Sequence, residues 1–210
     1  DYIIDSVAKF PGRLKGFAGI NPSWGDVAID ELERCANAKL LGIGEMHPDT
    51  QCFDLGDSAV MEPLMNLVCS LGLLVATHCS EPVGHLYKGK GTVRPETLWR
   101  FIQASPDATI ICAHWGGGLP FYALMPEVRE SLQNVYFDTA ASPFLYDKDV
   151  FSIVSSLVGA EHILFASDYP LISAARLVGQ LETSELSQDE REAIAYGNAT
   201  RLLRSRTQPP

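Results

Sequence analysis

The chain has 210 residues, 46% of them hydrophobic and 20% charged, enough for one domain with a substantial core. Its formal net charge of -10 argues against a nucleic-acid or anionic-membrane surface, since both need clustered Lys and Arg. No apolar run approaches the roughly 20 residues of a membrane span, and the start lacks a signal-peptide layout, so a cytoplasmic location is the expectation.

Asp1–Val7 reads as the middle of an amphipathic helix without an initiator Met, and an upstream segment is expected before it. Leu14–Ile20 is the first near-continuous apolar run. Asp26–Ala38 follows with Ile29, Leu32 and Ala36 at helical spacing, then a strand over Gly42–Met46. Ser58–Leu71 carries the stripe Val60, Leu64, Leu67, Val68 and Leu71, and Leu73–His78 is the next strand. Pro95 opens a helix over Pro95–Ala104. Thr109–His114, Val135–Thr139 and Ile163–Ser167 are further strands, with helices over Phe121–Leu132 and Asp149–Leu157 between them. Ser187 and Glu190 form a capping box that starts a last helix running to about Leu203. Residues 1–203 therefore form one domain, and 204–210 a frayed polar tail.

Six apolar strands alternating with helices predict a parallel α/β fold. A doubly wound sheet usually shows a Gly-rich phosphate loop after its first strand, and none is present. Glu45, His78, His114, Asp138 and Asp168 instead stand at the C-terminal ends of successive strands. A TIM (β/α)8 barrel gathers those ends into one ring and places its active site there.

An acid closing an apolar strand, as Asp168 does, is costly unless paired, capping a helix or bound to metal. His114 opens His114-Trp115-Gly116-Gly117-Gly118, whose glycines let the backbone turn sharply. His78 ends its own apolar run. Each histidine alone is more often a core residue than a catalytic one; three such residues on one barrel face suit zinc or a related divalent ion.

Thr77-His78, His114-Trp115-Gly116-Gly117 and Ser167-Asp168-Tyr169-Pro170 resemble the strand-five, strand-six and strand-eight signatures of amidohydrolase-related, metal-dependent barrel hydrolases of the amidohydrolase 2 type. They fit best the branch that includes aminocarboxymuconate-semialdehyde decarboxylase. The closing Gly197-Asn198-Ala199-Thr200-Arg201-Leu202-Leu203 is similar to that family's Asn-Ala-x-Arg-Leu ending. The resemblance implies that His78 is a metal ligand. Asp168 would bind the metal and take a proton from its water, and His114 would polarise the substrate or move protons. Glu45 resembles a strand-four metal-bridging glutamate of related barrel deoxyribonucleases; a structural carboxylate paired with an Arg or a backbone amide is its alternative. The family opens with a His-x-His pair on strand one, which this sequence does not contain. Counted against that pattern, Leu14–Ile20 is strand three, and strands one and two are expected upstream.

The loop Ser80–Gly91 contains G-x-x-x-x-G-K, but Gly91 stands where a phosphate loop needs Ser or Thr. It is read instead as a mobile loop over the barrel mouth, with His85, Lys88 or Lys90 meeting an anionic group. Trp115, Phe121, Tyr122, Phe144 and Tyr146 are candidates for an apolar pocket wall, with core packing the commoner fate of such rings. His47 either orients substrate or lies on the surface, and His162 sits at the opposite, stability face of the barrel. The five cysteines, Cys35, Cys52, Cys69, Cys79 and Cys112, read as buried free thiols.

The expectation is a metal-dependent hydrolase acting on a small molecule through a metal-activated water, with Zn foremost and Mn or Fe as alternatives. A non-oxidative decarboxylase on the same site, and a scaffold left catalytically incomplete by the missing His-x-His pair, are the competing readings. Exposed sheet edges add a homo-oligomer to the expectations.

Overall fold

The computed structural model of the protein describes residues 1–204. Helix α1 (Tyr2–Lys9) leads to β1 (Phe17–Ala18), α2 (Asp26–Asn37), β2 (Gly42–Met46), α3 (Pro48–Gln51) and α4 (Ser58–Ser70). Then come β3 (Leu74–Thr77), α5 (Pro95–Ala104), β4 (Thr109–Cys112), α6 (Pro126–Ser131) and β5 (Val135–Asp138). The chain continues with α7 (Ser142–Leu145), α8 (Val150–Val158), β6 (Ile163–Leu164), α9 (Ala174–Glu182), α10 (Gln188–Glu192) and α11 (Asn198–Arg204).

The strands form one sheet in the order β1-β2-β3-β4-β5-β6, every neighbouring pair parallel. A doubly wound sheet reverses its order part-way; an unbroken sequential order is that of a barrel wall. β1 and β6 end the order, each with one partner among the described residues, and each ladder there lasts only two residues. The strands predicted over Leu14–Ile20 and Ile163–Ser167 are shortened accordingly.

Side-chain alternation divides the core in two. Val75, Ile110, Cys112, Phe137 and Ile163 face the helices and pack with residues such as Leu32, Leu64, Leu98 and Phe151. Leu74, Ile111 and Leu164 face the other way, where Leu202 of α11 joins them. On α4 the buried stripe is Met61, Leu64, Met65 and Val68, rotated from the predicted one; Leu71 is exposed.

The helix predicted over Phe121–Leu132 does not form as one piece. Pro126 lacks the N–H that a helix interior needs, so the short helical turns ending at Leu124 stop first and α6 restarts with Pro126 in its first turn. The Ser187/Glu190 capping box is present, but the final helix passes through a π turn at Ala193–Gly197 before α11. Arg204, placed in the tail from sequence, closes α11, and 205–210 lie outside the described residues. No described helix is long and apolar enough to cross a membrane. Of the thiols, Cys35, Cys79 and Cys112 are buried as expected, whereas Cys52 is exposed.

Asn198 explains part of the closing motif. Its amide nitrogen is buried and donates to the Ala160 and Ile163 carbonyls, both 2.8 Å away, which ties α11 to the entry of β6. Asn198→Ala strands two buried carbonyls, and a stability loss of about 2 kcal/mol is expected in urea unfolding. A change below about 0.5 kcal/mol would mean that the tie carries nothing.

Candidate active site

Glu45 lies in β2, His78 directly follows β3, His114 lies two residues past β4, Asp138 closes β5 and Asp168 lies beyond β6. His114 and Asp168 adopt left-handed backbone conformations, with φ of 55° and 61°. Such angles are uncommon for side-chain-bearing residues and turn the chain abruptly out of the strand direction. Asp138 steadies the first of these turns: its Oδ1 accepts hydrogen bonds from the His114 N–H at 2.9 Å and the Ala140 N–H at 3.0 Å. Burial pushes the Asp138 carboxyl above its ordinary range. The Asp138 carboxylate thereby positions His114 through the main chain.

The side chains then converge. His78 Nδ1 donates to Glu45 Oε1 at 2.9 Å, and His114 Nδ1 lies 3.9 Å from the same oxygen. One donor atom each from Glu45, His78 and His114 falls within 4.8 Å of the others. His114 Nε2 faces Asp168 Oδ2 at 3.5 Å, and the His78 and His114 rings meet edge to face at 5.0 Å. His47 stacks on His78 at 4.1 Å, and Ser80 Oγ lies 3.0 Å from His78 Nε2, so that ring is held on three sides.

The electrostatics are tightly linked. Burial disfavours a charged His114, but the contact with Asp168 and the nearby Asp138 and Glu45 outweigh it and push the imidazole up to about 9. The contact with His114 in turn holds Asp168 below the usual carboxylate range. Burial raises Glu45, yet the His78 hydrogen bond and His114 bring it below its ordinary value.

These residues fit a divalent cation. A carboxylate oxygen and imidazole nitrogens are the donor types such ions take. His114 Nδ1 is buried with no hydrogen-bond partner, which is costly in a protein interior and is relieved by a bound ion. Of the ligands expected from sequence, Glu45 and His78 thus meet with His114, which joins them as a candidate donor. Asp168 reaches the cluster through His114.

The cluster opens into a cleft of about 560 Å³ that is also lined by His85, Tyr87, Lys88, Phe144, Leu145 and Leu171. Four of the chain's five histidines line it, a concentration that marks it above the molecule's other cavities. The fifth, His162, bonds the Val135 carbonyl at the opposite end of the sheet, as expected. Trp115 corrects the expectation of a substrate contact. It is fully buried, donates from Nε1 to Ser142 Oγ at 3.0 Å and meets Phe151 edge to face. Residues 115–118 all have positive φ, and that turn carries the ring into the core. Phe121 and Tyr146 pack against each other beside the core, and Tyr122 lines a separate cleft with Trp99. Among the expected aromatic wall, Phe144 alone lines the histidine cleft. His47, read from sequence as either orienting substrate or lying on the surface, lines the cleft one residue beyond β2 and stacks on His78.

The family described as Amidohydrolase matches residues 1–205. The chain belongs to the amidohydrolase family. Gamma-resorcylate decarboxylase of Polaromonas sp. strain JS666 is 24% identical to it over 247 aligned positions, covering 97% of this chain and 74% of the relative. The structure of 5-carboxyvanillate decarboxylase from Sphingomonas paucimobilis superposes with a TM-score of 0.79 at 21% identity, over 97% of this chain and 70% of that one. Dihydroxybenzoic acid decarboxylase from Polaromonas sp. JS666, with bound manganese and the inhibitor 2-nitroresorcinol, gives 0.74 at 20% identity, over 99% and 74%. The barrel-type fold is thereby shown for this member of the family. The expected hydrolase is overturned, because these relatives are named decarboxylases. Zinc loses its precedence as well, since the ion in the Polaromonas structure is manganese. The physical reason is that histidine and carboxylate donors beside a proton-handling pair serve either reaction, so the donor set does not distinguish them.

Proposed function

We propose that the protein is a metal-dependent, non-oxidative decarboxylase of a small hydroxylated aromatic carboxylate. The observation that carries this reading is the likeness, over 97% of this chain, to relatives named decarboxylases. The site is compatible with it: three convergent donors stand beside the His114–Asp168 pair, in a cleft that Phe144, Leu145 and Leu171 also line. The relatives supply the substrate class, through the names gamma-resorcylate, 2,6-dihydroxybenzoate and 5-carboxyvanillate decarboxylase.

Glu45, His78 and His114 would hold the cation, and His47 and Ser80 keep the His78 ring in place for it. Bound there, manganese or a similar ion supplies positive charge that offsets the substrate's carboxylate and adjacent hydroxyl. Glu45 and Asp168 would otherwise repel an incoming anion. The ring carbon bearing the carboxylate must gain a proton before the carbon–carbon bond breaks. His114 and Asp168 hold that proton between Nε2 and Oδ2 at the cleft wall, and the pair delivers it. The bond to the carboxylate then breaks, its electron pair restores the aromatic ring, and carbon dioxide leaves. Net, one aromatic carboxylate and one proton give an arene and carbon dioxide. Leu171 and Phe144, both exposed at the cleft mouth, would lie against the ring's face.

The full chain supplied with manganese should release carbon dioxide from 2,6-dihydroxybenzoate or 5-carboxyvanillate. Chelation should abolish turnover, and added manganese should restore it. Absence of release from both acids under saturating metal would remove the reading.

A further inference from the structure

We propose that Lys88, with His85 beside it, forms a subsite for a second acidic group on the substrate, so that the preferred substrate is an aromatic dicarboxylate. This deepens the decarboxylase reading and rests on it for the position of the reacting carboxylate.

The loop that carries these residues is built rather than loose. Its base is closed by Ser80 N–H donating to the Val93 carbonyl at 3.0 Å and Gly91 N–H donating to Ser80 Oγ at 2.9 Å. Asp49 clamps the far end, accepting from both the N–H and the hydroxyl of Thr92 at 2.8 Å. Inside the loop, Lys90 Nζ donates to the Val83 carbonyl at 2.9 Å and the His85 carbonyl at 3.1 Å. Tyr87 donates its hydroxyl to Glu81 at 3.1 Å. Lys90 is thus a brace, its charge spent on the loop's own carbonyls.

Lys88 is different. It lines the histidine cleft, and its side chain has no hydrogen bond or ion pair among the described residues. The chain carries 26 acidic residues, and none of them is paired with it. His85 lines the same cleft, its ring tilted against Tyr87 at 5.5 Å. The Lys88 and His85 side chains are both exposed at the cleft mouth. With a cation at Glu45, His78 and His114 offsetting the two carboxylates below, an unpaired ammonium on this braced loop favours an anion at the mouth. The reacting carboxylate belongs with Glu45, His78 and His114. A volume of about 560 Å³ leaves room beyond one benzoate ring for a second substituent. A lysine ammonium and an imidazole offer it charge-assisted hydrogen bonds.

The test compares acids with one and two carboxylates on the full chain. Lys88→Ala should raise KM for 5-carboxyvanillate about tenfold and leave KM for 2,6-dihydroxybenzoate within about twofold. Lys88→Arg should recover most of the difference. A readout without turnover is calorimetric binding of isophthalate against benzoate to the manganese-loaded protein. Wild type should favour isophthalate about tenfold, and Lys88→Ala should lose that preference. Equal binding of the two acids by wild type, or equal losses for both in Lys88→Ala, overturns the subsite. Failure of wild type to release carbon dioxide while the isophthalate preference persists would instead strike the decarboxylase reading alone.

Discussion

Asp168→Asn is expected to lower kcat by about 10²–10⁴-fold, with KM changed by no more than a few-fold. Asparagine keeps the size and the hydrogen-bonding reach of the side chain. It also tolerates the left-handed backbone that Asp168 adopts at φ 61°, which alanine would not do as well. What it cannot do is carry a negative charge opposite His114 or hold and return a proton. The His114–Asp168 contact at 3.5 Å then becomes a weak polar contact, and the proton needed at the ring carbon has no positioned source. The side chain is 39% exposed, so folding should hardly suffer, and thermal unfolding should shift by no more than a few degrees. Steady-state kinetics with melting curves on the same samples separates these effects. Turnover within threefold of wild type would remove Asp168 from the chemistry.

The parts of the site legible in the sequence are those set by strand periodicity. His78, His114 and Asp168 each interrupt an apolar run at its C-terminal end, and a parallel barrel carries such ends to one face whatever the loops do. Glu45 was visible for the same reason, though its partner is His78 rather than an arginine or a backbone amide. Trp115 was misplaced because its surroundings depend on the hand of a turn. The glycines after it announce a bend, but not that five successive residues, His114 to Gly118, take positive φ and swing the ring inward. Helix α9 escaped notice because its buried stripe is short, Leu177 and Leu181 alone. The reaction was not legible at all: carboxylate and imidazole donors around a cation polarise a scissile carbonyl or a departing carboxylate equally well.

Gly117→Ala should cost about 2–4 kcal/mol of stability and lower Tm by roughly 6–15 °C. Gly117 has φ of 59°, so any side chain there is strained before it meets a neighbour. An added Cβ would also stand 2.7 Å from the Ser80 carbonyl carbon and oxygen and 2.9 Å from Cys79 Sγ. Ser80 cannot step aside cheaply, because its N–H is tied to Val93 and its hydroxyl to Gly91 and His78. The clash is therefore passed to His78, and manganese affinity should fall together with stability. Gly84→Ala is the control. Gly84 has φ of 93° with nothing within 4 Å of its added Cβ, so it bears backbone strain without collision. It should cost about 1 kcal/mol and leave metal affinity unchanged. Equal losses in the two variants would show that backbone strain alone sets the cost. A larger loss at Gly117, accompanied by weakened metal binding, ties the left-handed turn after β4 to the placement of the ligand on β3.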